Sequence, residues 1–206
     1  DGDGDRVMMV DAEGNIYDGD QLLYAVVRGR LRQGRVAGVV GTLMSNLALE
    51  HALADCQVPF VRADVGDRYV MDMLRQKGWL YGGENSGHIL CLDRHSTGDG
   101  IVSALQVLAT LREEGGDLQQ LLGNLKLYPQ KLINVALSRG FPWKEHPLID
   151  ATKREVEAEL NGCGRVLLRA SGTEPLLRVM VEGQDAATVC RAAETLAAAV
   201  REAVSS

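Results

Sequence analysis

Three short segments of this 206-residue chain carry residue types that could do chemistry. The first is Asp1-Gly2-Asp3-Gly4-Asp5-Arg6. Carboxylates at every second position of an extended segment project to one side, and the intervening glycines let the backbone curl so that all three converge. Three such charges repel unless a cation neutralises them. An oxygen-only donor set points to a hard divalent ion, Mg²⁺ above all, and away from zinc. An EF-hand calcium loop opens similarly, but it needs Gly at its sixth place and Glu at its twelfth, where this chain has Arg6 and Ala12. The alternative here is a solvated acidic turn.

The second segment is Gly82-Gly83-Glu84-Asn85-Ser86-Gly87-His88. Its small residues permit close approach of a ligand, while Glu84, Asn85 and Ser86 offer acceptors and donors suited to the hydroxyl or amino groups of a sugar. His88 could move a proton near neutral pH. A polar turn with a structural histidine is the alternative. The third segment is Arg169-Ala170-Ser171-Gly172-Thr173-Glu174-Pro175, followed by Arg178. A turn between two strands sets hydroxyls and free N–H groups around a concavity, and two arginines can hold a phosphate bidentately. No G-K-[ST] occurs in the chain, so this is an anion cradle without a P-loop lysine. A plain hairpin with surface arginines is the other reading.

These segments need elements to hold them. The spacing predicts a strand over 7–10 closed by a turn at 11–15, then a helix capped by Asp18 or Asp20 and carrying Leu22, Leu23, Val26, Val27 and Leu31. A strand over 36–40, a helix over 43–54, a strand over 59–63 and a helix through Tyr69, Val70, Met73 and Leu74 follow. Strands alternating with helices imply a parallel or mostly parallel α/β layer. A strand over 88–92, a helix opened by Thr97-Gly98-Asp99-Gly100 and a charged loop over 112–117 complete this part. Beyond about residue 127 the pattern becomes a strand over 132–137, a helix over 149–160, strands over 166–168 and 177–181, and a helix over 186–204 behind an Asp185 cap. That reads as a separate small α+β unit, with the boundary near the start of 126–147.

Composition limits the partners. Lys+Arg 22 against Asp+Glu 28 gives −6, an acidic balance that argues against nucleic acid. At 46% hydrophobic and 24% charged the chain has a core to bury, so disorder or a fibrous repeat is not expected. No apolar run approaches the roughly 18 residues of a membrane span, so a soluble chain without a membrane partner is expected. Cys56, Cys91, Cys163 and Cys190 show no metal-like spacing, which fits reduced thiols in the cytoplasm. The opening Asp-Gly-Asp-Gly, without an initiator Met, reads as a fragment of something longer.

Six separated motifs, 1–6, 41–46 (Gly-Thr-Leu-Met-Ser-Asn), 65–70 (Val-Gly-Asp-Arg-Tyr-Val), 83–88, 97–100 and 169–175, stand in an order that resembles the α-D-phosphohexomutase superfamily. Their wording looks like that of its bacterial phosphoglucosamine mutases. The resemblance runs from the first residue to the final helix. It implies a four-domain cytoplasmic enzyme interconverting glucosamine 6-phosphate and glucosamine 1-phosphate, on the route to UDP-N-acetylglucosamine and the cell wall. A phosphoserine and a bisphosphorylated sugar carry that reaction. The implied fold is the end of domain 2 over 1–17, an α/β domain 3 with a mixed sheet over 18–126, and over 127–206 a small α+β domain 4 like the TATA-box-binding protein.

On the same resemblance Asp1, Asp3 and Asp5 match the Mg²⁺ ligands, and Arg6 and His88 match catalytic positions, His88 in proton transfer. Glu84, Asn85 and Ser86 match sugar contacts, and Gly66, Asp67 and Arg68 a loop near the sugar. Arg169, Ser171, Gly172, Thr173 and Arg178 match the distal-phosphate loop. All are expected around one cleft, with a phosphosugar as partner and a homodimer compatible with the reading. The chain departs from the family in one respect: none of its serines is followed by His-Asn-Pro, the wording of the phosphoserine loop. This portion alone is therefore expected not to turn over substrate. Two other readings stand beside it: a phosphomannomutase or phosphoglucomutase, against which Asn85 and 66–68 favour the amino sugar, and a non-catalytic phosphosugar-binding module. A calcium-binding interaction domain is a third.

Overall fold

The structure, a computed structural model, describes every residue except Arg35, Asn124, Arg139, Thr173 and Ser206. The chain forms two compact units, Asp1–Lys126 and Leu127–Ser206.

The first unit opens with a short antiparallel hairpin, β1 (Met9–Val10) and β2 (Ile16–Tyr17). The Asp11 carboxylate closes its turn by accepting from the backbone of Glu13 and Asn15 and from the Tyr17 hydroxyl. Helix α1 (Gly19–Gln33) begins in a capping box: Asp18 accepts from the Gln21 N–H, and the Gln21 side chain accepts from the Asp18 N–H. Of the two expected caps Asp18 is the one used. Asp20 points inward and is buried.

A four-stranded sheet follows in the order β4-β3-β5-β6. It is built from β3 (Val39–Thr42), β4 (Phe60–Ala63), β5 (Tyr81–Gly83) and β6 (Ile89–Cys91). The first three run parallel and β6 runs antiparallel to β5, so the sheet is mixed. Strands β3, β5 and β6 are buried along their whole length, as strands covered on both faces are.

Four expectations are corrected here. Strand β3 starts later than residue 36 because its ladder begins where Val39 meets Phe60 and Tyr81. Helix α2 (Leu47–Asp55) starts four residues later than residue 43, because the Asn46 side chain caps it by accepting from the Ala48 N–H. Strand β5 overlaps the start of the segment 82–88 read as a turn; its two glycines give no side-chain alternation to read. Helix α4 (Gly100–Glu114) runs through the first part of the loop expected over 112–117, and Asp117 then caps a further short helix, α5 (Leu118–Leu122). Helix α3 (Asp67–Lys77) stops at Gly78 in the left-handed region. Val40, Ala63, Val70, Leu74 and Leu90 form a core between sheet and helix.

The second unit is a three-stranded antiparallel sheet, β7 (Gln130–Ala136), β8 (Gly164–Ala170) and β9 (Leu176–Gly183), in the order β7-β9-β8. Helices α6 (Pro147–Leu160) and α7 (Ala186–Ser205) cover one face of it. Leu177, Val179 and Val181 of β9 pack against Ile149, Val156, Val189, Leu196 and Val200 of these helices. Asp185 caps α7 by accepting from the Thr188 N–H at 2.8 Å. The alternate residues Leu176, Arg178, Met180 and Glu182 therefore face the other way. On that side buried Glu182 pairs with Arg165 and Gln130.

Candidate functional site

The acidic loop is held from outside itself. The Gly4 carbonyl accepts from the Gly100 N–H at 2.8 Å, which ties the loop to the start of α4. Thus anchored, Asp1, Asp3 and Asp5 bring one carboxylate oxygen each within 4.8 Å of the others, the one such cluster among the described residues. Arg6 lies against it, its Nε bonded to Asp1 Oδ2 and 3.7 Å from Asp5 Oδ1. Asp5 Oδ1 is buried and has no hydrogen-bond partner among the described residues.

The loop over 84–88 joins this cluster through the backbone. Arg6 and His88 form an isolated antiparallel bridge, and the Val7 N–H donates to the Gly87 carbonyl at 3.1 Å. A turn closes the loop, with the Gly87 N–H on the Glu84 carbonyl at 3.0 Å and Gly87 at φ 97°, which glycine adopts without strain. The His88 ring is buried, with Nε2 3.9 Å from Asp5 Oδ2 and Nδ1 without a partner among the described residues. Glu84 Oε1 accepts from the Gly66 N–H at 2.9 Å, so the segment after β4 and the segment after β5 are joined by one carboxylate. The Asn85 carbonyl accepts from the Gly19 N–H at 3.0 Å.

The structure thus brings together Asp1, Asp3, Asp5, Arg6, Gly66, Glu84 and His88. Asn85 is half-buried and Ser86 exposed in the same turn. Asp67 and Arg68 are not drawn in: Asp67 accepts from the Arg68 N–H, and the Arg68 guanidinium is exposed, 3.8 Å from Asp72.

In the second unit, Arg169 and Arg178 are direct partners in the β8–β9 register, and Asn134 is the partner of Arg178 across β7–β9. Two like charges opposite each other repel, and an anion between them relieves that. The loop beyond them is closed by the Ser171 N–H on the Leu176 carbonyl at 2.8 Å. It borders an open cavity of about 830 Å³ lined by Phe141, Trp143, Ser171, Gly172, Glu174 and Pro175. Thr173 lies outside the described residues.

Sequence reasoning read Asp20 only as a possible helix cap, whereas the structure buries it. Asp20 has a carboxyl pushed up to about 7, first by burial and then by the neighbouring Asp18 charge; bonds from Asn46 and Ser45 and the Arg62 charge oppose this. Its signal was a second carboxylate two residues after the Asp18 cap, just ahead of the apolar run of α1.

The family model for phosphoglucomutase/phosphomannomutase, alpha/beta/alpha domain III, matches residues 18–128, and that for the C-terminal domain of the same family matches 132–199. The chain is 73% identical over 202 residues to the phosphoglucosamine mutase of Dechloromonas aromatica and 59% identical to that of Ralstonia nicotianae. In both cases 98% of the chain is covered, and it spans about 45% of the relative's length. Among solved structures, N-acetylphosphoglucosamine mutase of Aspergillus fumigatus in complex with GlcNAc-6P and magnesium aligns at TM-score 0.78 and 22% identity. That alignment covers 98% of this chain and 51% of the other. Another structure of the same fungal enzyme aligns at TM-score 0.82 and 24% identity, covering 98% and 47%.

Proposed function

This chain belongs to the phosphoglucomutase/phosphomannomutase family, and on that premise we propose that it is the C-terminal portion of an enzyme interconverting glucosamine 6-phosphate and glucosamine 1-phosphate. The observation that carries the reading is the lacing of an oxygen-only acidic cluster to a sugar-type loop through the Arg6–His88 bridge. Identity of 73% to a phosphoglucosamine mutase supports the amino sugar over glucose and mannose.

Asp1, Asp3 and Asp5 fit a hard divalent ion. Three oxygens stand within 4.8 Å of each other, and Asp5 Oδ1 is buried with no hydrogen bond among the described residues. These residues would hold Mg²⁺, which when bound neutralises charge on a phosphoryl group during transfer. Arg6, already paired to Asp1 and Asp5, stands ready to meet phosphoryl oxygens. Glu84, oriented by the Gly66 N–H, accepts from a ring hydroxyl, and Asn85 and Ser86 add polar contacts. His88 exchanges a proton at Nε2 with the reacting hydroxyl. Gly66 borders the sugar, and Asp67 and Arg68 reach it only by turning from their present contacts with each other and with Asp72. In the second unit Arg169 and Arg178 grip the distal phosphate as a pair, helped by Ser171, Gly172 and Thr173.

The phosphoryl donor does not lie on this chain, whose serines lack the His-Asn-Pro sequel. The partner is a phosphosugar in the cytoplasm, without nucleic acid or membrane, and a homodimer is compatible. No helix of the described residues is long and apolar enough to cross a membrane.

The longer protein, assayed on glucosamine, glucose and mannose 1-phosphates, tests the reading. Preference for the amino sugar is expected; equal or better turnover of mannose 1-phosphate overturns that choice. The missing donor also favours a second reading, a non-catalytic phosphosugar-binding module. Calorimetric titration of the chain with glucosamine 6-phosphate separates the two when set beside turnover by the longer protein, because only a mutase shows both.

A further inference from the structure

One buried polar cluster has no part in the chemistry above, and it gathers on the first turn of α1. Asp20 is 1% exposed. Its Oδ2 accepts from the Asn46 N–H at 2.7 Å, the Ser45 hydroxyl bonds to the same carboxylate, and Oδ1 has no partner among the described residues. Asn46 in turn caps α2, and Ser45 Oγ accepts from the Thr42 N–H at 3.0 Å. From β4, Arg62 Nη1 donates to the carbonyls of Thr42 and Ser45 at 3.0 and 2.6 Å. The loop after β3 is therefore clamped by a buried carboxyl on one side and a cation on the other.

The residue before Asp20 grips a different loop. The Gly19 N–H holds the Asn85 carbonyl at 3.0 Å, and its α-carbon sits so close that an added Cβ would collide with the Glu84 carbonyl and lie 2.6 Å from the Gly87 nitrogen. Two adjacent residues of one helical turn thus hold the loops after β3 and after β5. Both loops lie at the carboxyl ends of parallel strands, where α/β sheets bind ligands.

We propose that Asp20 is a positioning residue for the sugar-binding loop. By fastening 45–46 to the first turn of α1 it fixes the surface on which 84–87 is seated, and with it the Glu84 carboxylate. An apolar residue at this place would take this acceptor from the Asn46 N–H and Ser45 hydroxyl and loosen their hold on the helix. Keeping a carboxylate there is costly, since burial and Asp18 both oppose its charge while Asn46, Ser45 and Arg62 favour it. That cost is reasonable if the geometry serves binding. The sugar contact itself rests on the mutase reading; the mechanical link does not.

Hydrogen exchange on the 206-residue chain tests the link without an activity assay. In Asp20→Ala the amides of Asn46, Glu84 and Gly87 are expected to exchange about tenfold faster together. Asp20→Asn, which keeps the acceptor, restores all three. The amide of buried Val107, in the middle of α4, reports global unfolding of the first unit. Should Asp20→Ala unfold, Asp20→Ser, which shortens the side chain but keeps an oxygen, is expected to loosen the same three amides. Acceleration confined to Asn46, or equal acceleration in Asp20→Asn, overturns the proposal.

In the longer protein, Asp20→Ala is expected to raise KM for glucosamine 6-phosphate about tenfold with kcat within about twofold, and Asp20→Asn to stay near wild type. A fall in kcat at unchanged KM overturns the positioning role. Absence of mutase activity in the wild-type longer protein overturns the proposed function instead, while coupled exchange of the three amides still supports the link.

Discussion

The two units carry their candidate groups in opposite ways. In Asp1–Lys126 the acidic and sugar-type loops are laced by backbone bonds, a buried histidine and a glycine packed against a neighbouring carbonyl. In Leu127–Ser206 the candidate groups are two arginines set opposite each other by strand register, with an exposed loop beyond them. The first arrangement makes the site part of the fold, so damage to one damages the other. The second mounts charge on a sheet that stands without it. A side chain in the second unit can thus change binding while stability stays the same.

The largest expected effect breaks the comparison at a glycine in each unit. Gly19→Ala forces a Cβ into the Glu84 carbonyl and should cost about 3 kcal/mol, roughly a 10 °C fall in the unfolding temperature of the first unit. Gly172→Ala meets nothing within 4 Å and should change stability by less than about 0.5 kcal/mol. Calorimetry that finds the two substitutions equally tolerated would end the distinction.

Next is pH, where only the first unit should respond between about 4 and 7. Asp20 has its native pKa raised from 3.8 to about 7. The native state then keeps a proton the unfolded chain has lost, so this contribution is full below pH 3.8 and disappears as pH rises through about 7. Denaturant unfolding of the first unit should therefore lose on the order of a few kcal/mol between pH 5 and pH 8, and Asp20→Asn should flatten that slope. In the second unit Asp185 is held below 3.8 by its bonds to Thr188, a contribution present above 3.8 and lost as pH falls below it. A fall in pH from about 7 towards 3.8 should therefore strengthen the first unit alone, and below 3.8 acid should weaken both, since Asp11 in the first unit is held low as Asp185 is in the second.

A smaller effect concerns the ion. Magnesium at about ten times its dissociation constant should stabilise the first unit by about 1.4 kcal/mol, leave the second unchanged, and lose its effect in Asp3→Asn or with a chelator. Thermal shift with and without Mg²⁺ checks this. An equal shift in Asp3→Asn would sink the metal assignment. The smallest effect is Arg178→Ala. Relief of the charge opposite Arg169 should alter stability by no more than about 0.5 kcal/mol, while titration with inorganic phosphate shows affinity lower by about tenfold.

Much of the architecture is written locally. The caps at Asp18, Asp99 and Asp185 each take an N–H three residues on, so such a side chain marks a helix start, while Asn46 and Asp117 cap in the same way but were not read as caps from the sequence. The apolar alternation of β9 likewise shows which face meets the helices. Residue types alone also made the acidic loop an oxygen donor set. Strand β5 was not legible, because glycines carry no pattern, nor was α5, whose five residues Leu118–Leu122 are too few to show a helical period.

What the amino-acid order determined by itself was therefore the chemistry on offer and most of the elements that carry it, since both depend on neighbours a few positions away. Only the tertiary structure decided that Arg6 pairs with His88, that Arg169 stands opposite Arg178, and that Asp20 is buried against Asn46. Pairing, register and burial bring together residues far apart along the chain. Their energies depend on which partner arrives and how much water it displaces, and no local pattern carries that information.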